Sequence, residues 1–266
     1  MQMQEELDFN NLVTFNEKLN GYKIDKKYMK KLAPYVDKKL VRDYVRKKIG
    51  SDHFISEYFC KNKITVKDLE KLPNSFVLKA TMGSGTNIII KDKNKVNLQE
   101  VCDYMNYISC IHYGYLWGEF FYEYGKKNII AEELLVNDDG TIPDDLKCFC
   151  FQDNYGKRRK ILYVERVVGD NRARIMFDEK WKKIKIESNF EELNEKISKP
   201  RNLKKILEII DKLSEDFNFV RVDLFLVGEK IYFGELTFIP TAGYLQFKND
   251  AENIMWGNYI GNNKMQ

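Results

Sequence analysis

Near the carboxyl end two apolar runs, residues 219–227 and 230–238, flank the dipeptide Gly228-Glu229. Runs of this kind around a short glycine-containing break read as a β-hairpin. Arg221 and Asp223 interrupt the first run, and Glu235 and Thr237 the second. Each pair is spaced by two, so on a strand its members share a face. With the turn centred on Glu229, Asp223 opposes Glu235 and Arg221 opposes Thr237. Opposed carboxylates repel at this range. Either a cation sits between them, and oxygen-only ligands favour magnesium or manganese over zinc, or Arg221 neutralises them in a salt-bridge cluster. A one-residue change in the turn would put the two acids on opposite faces.

Three further segments interrupt apolar runs with charge or glycine. Lys79 ends the expected strand 75–80 and is followed by Thr81-Met82-Gly83-Ser84-Gly85-Thr86, then by a second strand, 87–91. Glycines between strands let backbone N–H groups approach an anion closely, and a lysine adds a point charge. No G-K-[ST] follows and no helix opens, so this is neither a P-loop nor a dinucleotide fingerprint. A plain hairpin turn with a snorkelling lysine remains the competing reading. Glu132 and Glu133 are adjacent in the apolar run 129–136, which continues into Leu134 and Leu135. Neighbours on a strand alternate faces, so one acid points inward or toward a cleft. The other reading is one solvated and one salt-bridged glutamate. Lys147 stands in the apolar run 146–152 and needs an anion or carboxylate if buried, whereas an edge strand would tolerate it.

The rest of the chain alternates in blocks. The first third reads helical over 25–33 and 38–49, with Pro34 separating the two. Residues 97–112 and 203–217 have helical spacing, and 129–136, 146–152, 160–168 and 173–177 read as strands. Such blocks predict an α+β fold with mainly antiparallel sheets. The aromatic run 113–124 reads as core with no assigned role, and the lysine-rich 179–186 as a solvated face.

Composition excludes several classes of function. Among 266 residues, 44 Lys and Arg against 40 Asp and Glu leave a charge of only +4. That is too little, and too dispersed, for a nucleic-acid partner. The two histidines, His53 and His112, exclude a multi-histidine metal centre and leave little for a histidine-based triad. Five cysteines without a C-x-x-C spacing read as reduced structural thiols. The opening MQMQEELDF lacks a secretory pattern, and no stretch approaches the roughly 20 apolar residues of a membrane span. The expectation is a soluble cytoplasmic protein of undetermined oligomeric state.

Taken in order, these segments resemble the ATP-grasp enzymes, and within them the TupA-like group linked to teichuronopeptide and capsular polysaccharide biosynthesis. The resemblance runs over roughly 12–260 through 14–18, Asp37-Lys38, 41–45, 77–79, 83–85, 132–134, Leu146-Lys147, Cys150-Phe151, 220–223, 233–238, Pro240, Gly243, Asp250 and Gly257. It implies an ATP-grasp fold of two α+β lobes clasping ATP. The expected divisions are a helical region at 1–60, a small lobe with a glycine-rich flap at 61–136 and a large lobe with the metal-binding hairpin at 137–266. Lys79 and Lys147 would then contact ATP phosphates, Gly83, Ser84 and Gly85 would form the flap, and Glu132, Glu133, Leu134 and Leu135 would meet adenine and ribose. Asp223 and Glu235 would hold magnesium, as two ions, with Arg221 near the transferred phosphoryl group. Thr237 stands where the wider pattern often has asparagine, and Met82 where the group commonly has histidine.

The implied activity is an ATP- and magnesium-dependent carboxylate–amine ligase working through an acyl-phosphate. Its partners would be a small-molecule carboxylate, such as an amino acid, and a glycan or sugar-linked acceptor. The rival readings are a sugar kinase using the same ATP site and a non-catalytic nucleotide- or glycan-binding module.

Overall fold

The computed structural model describes residues 7–168, 171–186, 191–193 and 195–262. Residues 1–6, the start of the segment inspected for a secretory signal, lie outside them.

The chain begins with α1 (Phe15–Ile24), α2 (Lys26–Val36) and α3 (Val41–Ile49), then β1 (Glu57–Lys61), α4 (Val66–Glu70), β2 (Phe76–Ala80) and β3 (Ile88–Ile90). α5 (Leu98–Cys110), α6 (Tyr113–Trp117), β4 (Ile129–Glu132), β5 (Asp145–Gln152), β6 (Arg158–Val168) and β7 (Asn171–Phe177) follow. The remainder is β8 (Lys183–Ile184), β9 (Glu191–Glu192), α7 (Leu203–Ser214), β10 (Phe219–Val227), β11 (Lys230–Thr237) and α8 (Asp250–Asn258). The fold is α+β, as expected, and the segmentation into helices and strands is largely the expected one.

α1 starts at a capping box. The Thr14 hydroxyl accepts from the Glu17 N–H, while the Glu17 carboxylate accepts from the N–H groups of Thr14 and Val13, satisfying donors that a helix start leaves open. Pro34 does not separate the next two helices but lies inside α2. One lost hydrogen bond near the helix end costs less than giving up the burial of Leu32, Ala33 and Val36. The break falls instead at Asp37, whose carboxylate accepts from the N–H groups of Lys39 at 2.7 Å and Leu40 at 3.0 Å.

The chain divides into two compact units, each discontinuous in sequence. The first comprises residues 1–28, 144–224 and 236–266; the second, 29–143 and 225–235. In the second, a four-stranded sheet has the order β1-β4-β2-β3. β2 pairs antiparallel with both β3 and β4, placing Lys79 beside Ile130 and Val77 beside Glu132. α4 and α5 cover this sheet over a core of Ile64, Leu69, Phe76, Leu78, Met105 and Ile129. The hairpin tip joins the same unit: Phe233 N–H donates to the His53 carbonyl, and His53 Nδ1 lies 2.8 Å from the Ile231 carbonyl.

The larger sheet has the order β11-β10-β5-β6-β7-β8, with β9 added parallel to β7. β5, β6, β7 and β8 pair antiparallel in sequence. One end of its inner face carries Phe149 and Phe151, packed with Phe219 beneath Phe15 of α1 and Trp256 of α8. α7 packs on β5, burying Ile206, Ile209, Ile210 and Leu213. The five cysteines are free thiols, and those of Cys148 and Cys150 lie 3.8 Å apart.

Three local expectations need correction. The strand expected over 129–136 ends at Glu132, because the Glu133 N–H turns to the Ser56 carbonyl. Residues 179–186 are not wholly a solvated face: Trp181 is buried and stacks on Phe177 at 4.3 Å, and β8 lies within the segment. Of the aromatic run expected as core, Phe121 and Tyr122 are buried, but Tyr115, Leu116 and Trp117 are exposed.

Phe15 has no exposed surface and contacts Phe151, Phe219, Phe247 and Trp256. Phe15→Ala is expected to lower the unfolding free energy by about 3–5 kcal/mol, read by urea denaturation. A loss under about 1 kcal/mol would contradict its place at the centre of this aromatic cluster.

Candidate active site

The structure gathers the candidate residues into two groups, one in each unit. In the second unit, Lys79 near the end of β2 donates to Glu132 Oε2 at 2.6 Å. Arg42 approaches the other Glu132 oxygen at 3.4 Å and donates to the Ile55 carbonyl at 3.0 Å. Glu132 is only 6% exposed, and two cations share it. One bond from Lys79 leaves the remaining ammonium hydrogens available to a further acceptor.

Next to this pair lies a cavity of about 110 Å³ lined by Lys79, Glu133 and a set of apolar side chains that includes Val77, Ile89, Leu134 and Leu135. Because β4 ends at Glu132, residues 133–135 leave the sheet and line this slot, which unites two of the expected segments. An apolar slot with a few polar groups suits a flat heterocycle.

The glycine-rich segment follows β2. Gly83 has φ +121° and Gly85 φ +70°, values that side-chain-bearing residues rarely adopt. Lys38 Nζ donates to the Gly83 carbonyl at 2.8 Å, and the Lys38 N–H donates to the Thr81 carbonyl. Tyr113 hydrogen-bonds Ser84, and burial pushes its phenol up. Met82 is 5% exposed, and a Cβ on Gly125 would sit 2.6 Å from its terminal methyl. It therefore fills the space beside Gly125.

Lys38 belongs to the resemblance but was given no role. Burial lowers its amine below the ordinary lysine value, against the attraction of Glu235. Glu235 thus acts on the same corner of this unit as Lys79 and Lys38.

In the first unit, one face of the larger sheet carries a charge network. Arg221 grips Asp223 with two bonds, 2.7 and 2.6 Å, and donates to the Thr237 hydroxyl at 2.9 Å. Lys147 Nζ lies 3.0 Å from Asp145, 3.6 Å from Glu165 and 3.6 Å from Asp223. Arg174 pairs with Glu165. Burial disfavours the charge of Lys147, but Asp223 and Asp145 outweigh it and hold the amine above its ordinary value. Strand register explains the grouping: Asp145 pairs with Glu165, Lys147 with Tyr163, and Glu165 with Arg174.

Magnesium binds through one or two carboxylates and completes its shell with substrate phosphates and water. Asp223 in the first unit and Glu235 in the second each offer oxygen donors of that kind. No cluster of three or more histidine, cysteine, aspartate or glutamate side chains suited to a metal exists among the described residues. Both Asp223 oxygens are engaged by Arg221, the salt-bridge arrangement that competed with the metal reading. The Thr237 hydroxyl accepts a further bond from that arginine.

Sequence reasoning gave no role to Arg42, which lies in the resembling segment 41–45, nor to Asp145, Glu165 and Arg174. The signal for Glu165 and Arg174 was the one used for Lys147, a charge inside an apolar strand, but no partner could be assigned without the register.

The two mainly antiparallel sheets and the match to a family of this type give the chain the ATP-grasp fold. The pattern of the family described as TupA-like ATPgrasp matches residues 17–261, and the chain belongs to that family. No curated protein sequence matches it. Among solved structures, it is similar to the ADP complex of the N5-carboxyaminoimidazole ribonucleotide synthetase purK, with TM-score 0.52 and 12% identity over 93% of this chain and 60% of that one. The D-alanine-D-alanine ligase of Helicobacter pylori gives 0.46 and 14% over 85% of this chain and 61% of that one. The L-amino acid ligase of Bacillus licheniformis gives 0.46 and 13% over 80% and 43%. The chain spans about 60% of the length of the first two. No helix among the described residues is long and apolar enough to cross a membrane.

Because the folded pKa of Lys38 is lowered, the unfolded state binds more protons near it, and stability rises with pH there. Lys38→Met abolishes this dependence. The wild type is therefore expected to gain stability relative to the variant as pH rises toward about 10, measured by urea denaturation at several pH values. A constant difference would contradict the burial of this amine.

Proposed function

We propose that the chain is an ATP-dependent carboxylate–amine ligase. The observation that carries this reading is the Lys79–Glu132 pair set against an apolar slot that Glu133, Leu134 and Leu135 help to line. Adenine occupies the slot, and Glu132–Leu135 serve the base and ribose. Lys79 and Lys147 meet phosphates, and Gly83, Ser84 and Gly85 form a loop over them. The family match and the similarity of fold to ligases support the reading. The activity is proposed for a chain shorter than the solved relatives it resembles.

Charge is what these residues contribute. Lys79 and Lys147 offset negative charge as a substrate carboxylate attacks the γ-phosphorus, the bond to ADP breaks and an acyl-phosphate forms. An amine then displaces phosphate to give the amide. No side-chain nucleophile is needed, in keeping with only two histidines. Magnesium, held by Asp223 and Glu235, supplies further charge neutralisation when bound. Arg221, poised on Asp223 and Thr237, lies ready for the transferred phosphoryl group. The glycine-rich loop excludes water that would hydrolyse the acyl-phosphate.

The resemblance to the TupA-like group supports a substrate class. We infer that an amino acid or related group is joined by an amide bond to a precursor of a cell-surface polysaccharide.

Hydroxylamine trapping tests the reaction without knowledge of the acceptor. With ATP, magnesium and a pool of amino acids and sugar acids, the protein is expected to yield ADP, phosphate and a hydroxamate. Lys79→Ala is expected to reduce turnover at least about 100-fold. A phosphorylated sugar with no hydroxamate would favour a kinase instead. Full turnover in Lys79→Ala would overturn the site assignment.

A further inference from the structure

In the second unit, one stretch of chain turns its acids inward and its aromatic side chains outward. From Tyr104 to Lys127 the acids are Glu119 and Glu123 alone. Glu119 is buried. Glu123 accepts from the Gly114 N–H at 2.8 Å, pairs with Lys127 at 3.2 Å and lies 2.6 Å from His112 Nδ1. Gly114 has no room for a side chain, since a Cβ would sit 2.8 Å from the Glu119 carbonyl oxygen. Gly118 ends α6 at φ +71°, a value that favours glycine. The single turn of α6 is thus fixed from beneath.

Its outer side carries Tyr115, Leu116 and Trp117, which are 70%, 64% and 53% exposed. Three consecutive helical residues point through about 200° of arc, so exposure of all three means that the turn projects from the unit. Tyr107, one turn before the end of α5, is exposed too, as is Tyr104 on the same face. The charge left at this surface is positive. Lys126 is exposed and makes no ion pair among the described residues. The same holds for Lys63, which two hydrogen bonds between Ile64 and Asn106 set beside α5. Glu100 and Asp103 lie nearer the start of α5 and accept from Asn97 and Gln99.

A projecting apolar turn needs a cover, and its chemistry selects one. A stable protein interface uses about 20–30 residues a side, far more than three side chains on a tip. A bilayer accepts a tip at whatever depth it reaches. Tryptophan and tyrosine, apolar in body and polar at one end, settle at headgroup level. Leucine enters the acyl boundary, and lysines beside it meet anionic headgroups. We infer that α6 docks the protein on a phospholipid surface carrying anionic headgroups, with Tyr115, Leu116 and Trp117 inserted and Lys126 and Lys63 at the rim. The surface uses none of the residues assigned to ATP, and the inference is independent of the proposed ligase activity. Tyr113 of the same helix hydrogen-bonds Ser84, so docking would hold the glycine-rich loop near the bilayer.

The test is co-sedimentation of the full chain with vesicles of phosphatidylcholine, with and without phosphatidylglycerol, read beside tryptophan fluorescence. The chain has three tryptophans, and Trp181 and Trp256 are buried, so quenching by lipids brominated in the acyl chain reports on Trp117. Binding is expected to be at least about fivefold tighter with phosphatidylglycerol present, with Trp117 quenched by the brominated lipid. Leu116→Ser, at an exposed position that leaves the reporter in place, is expected to weaken binding about tenfold. Tyr115→Ser is expected to act in the same direction. No binding to either vesicle, equal binding to both, or binding without quenching of Trp117 would overturn the inference. So would binding unchanged in both variants. A dimer in sedimentation equilibrium that Leu116→Ser dissociates, without vesicle binding, would assign the tip to a second copy of the chain instead.

Discussion

Lys147 and Asp223 are both buried in the larger sheet, 8% and 5% exposed. Neither could hold its charge there alone, since an unpaired buried ion costs several kcal/mol. Their survival depends on a network spread over four strands, in which Asp145, Lys147, Glu165, Arg174, Arg221 and Asp223 balance three positive against three negative charges. Such a network is intolerant of register error. A one-residue slip of β5 would exchange Lys147 for its neighbours and carry it to the side packed by α7. Aromatic packing of Phe149 and Phe151 against Phe15 and Trp256 holds the same strand in place. Apolar packing at one end of the sheet face thereby secures the charged arrangement at the other.

The second unit applies the same rule on a smaller scale. Glu132 is tolerated in a buried strand because Lys79 and Arg42 share it, and the end of β4 immediately afterwards turns 133–135 into a wall of the apolar slot. Positive φ at Gly83 and Gly85 gives the following loop a path that other residues would resist. The Lys38 ammonium ties that loop at the Gly83 carbonyl. Charge, slot and loop are thus neighbours because they are consecutive along two adjacent strands.

Much of this was legible in the sequence because local patterns carried it. The hairpin 219–238 announced itself by period, glycine and length, and Lys79, Lys147 and Asp223 stood out as charges in apolar runs. Arg221 donates to Thr237 across that hairpin. Long-range partners were not legible. Nothing in the spacing joins Arg42 to Glu132 or Arg174 to Glu165, because those pairs follow from strand order and register. Pro34 misled for a related reason: its local penalty is real, but burial of the neighbouring apolar residues outweighs it. Trp181 was hidden among lysines, and only its stacking on Phe177 reveals why it is buried.

The central claim is that these residues form a magnesium-dependent ATP site. Calorimetric titration of ATP into the wild type, with and without magnesium, and into Glu235→Ala tests it most directly. The account predicts micromolar binding that requires magnesium and is lost in the variant. Absence of binding under every condition, or binding indifferent to both magnesium and Glu235, would contradict it.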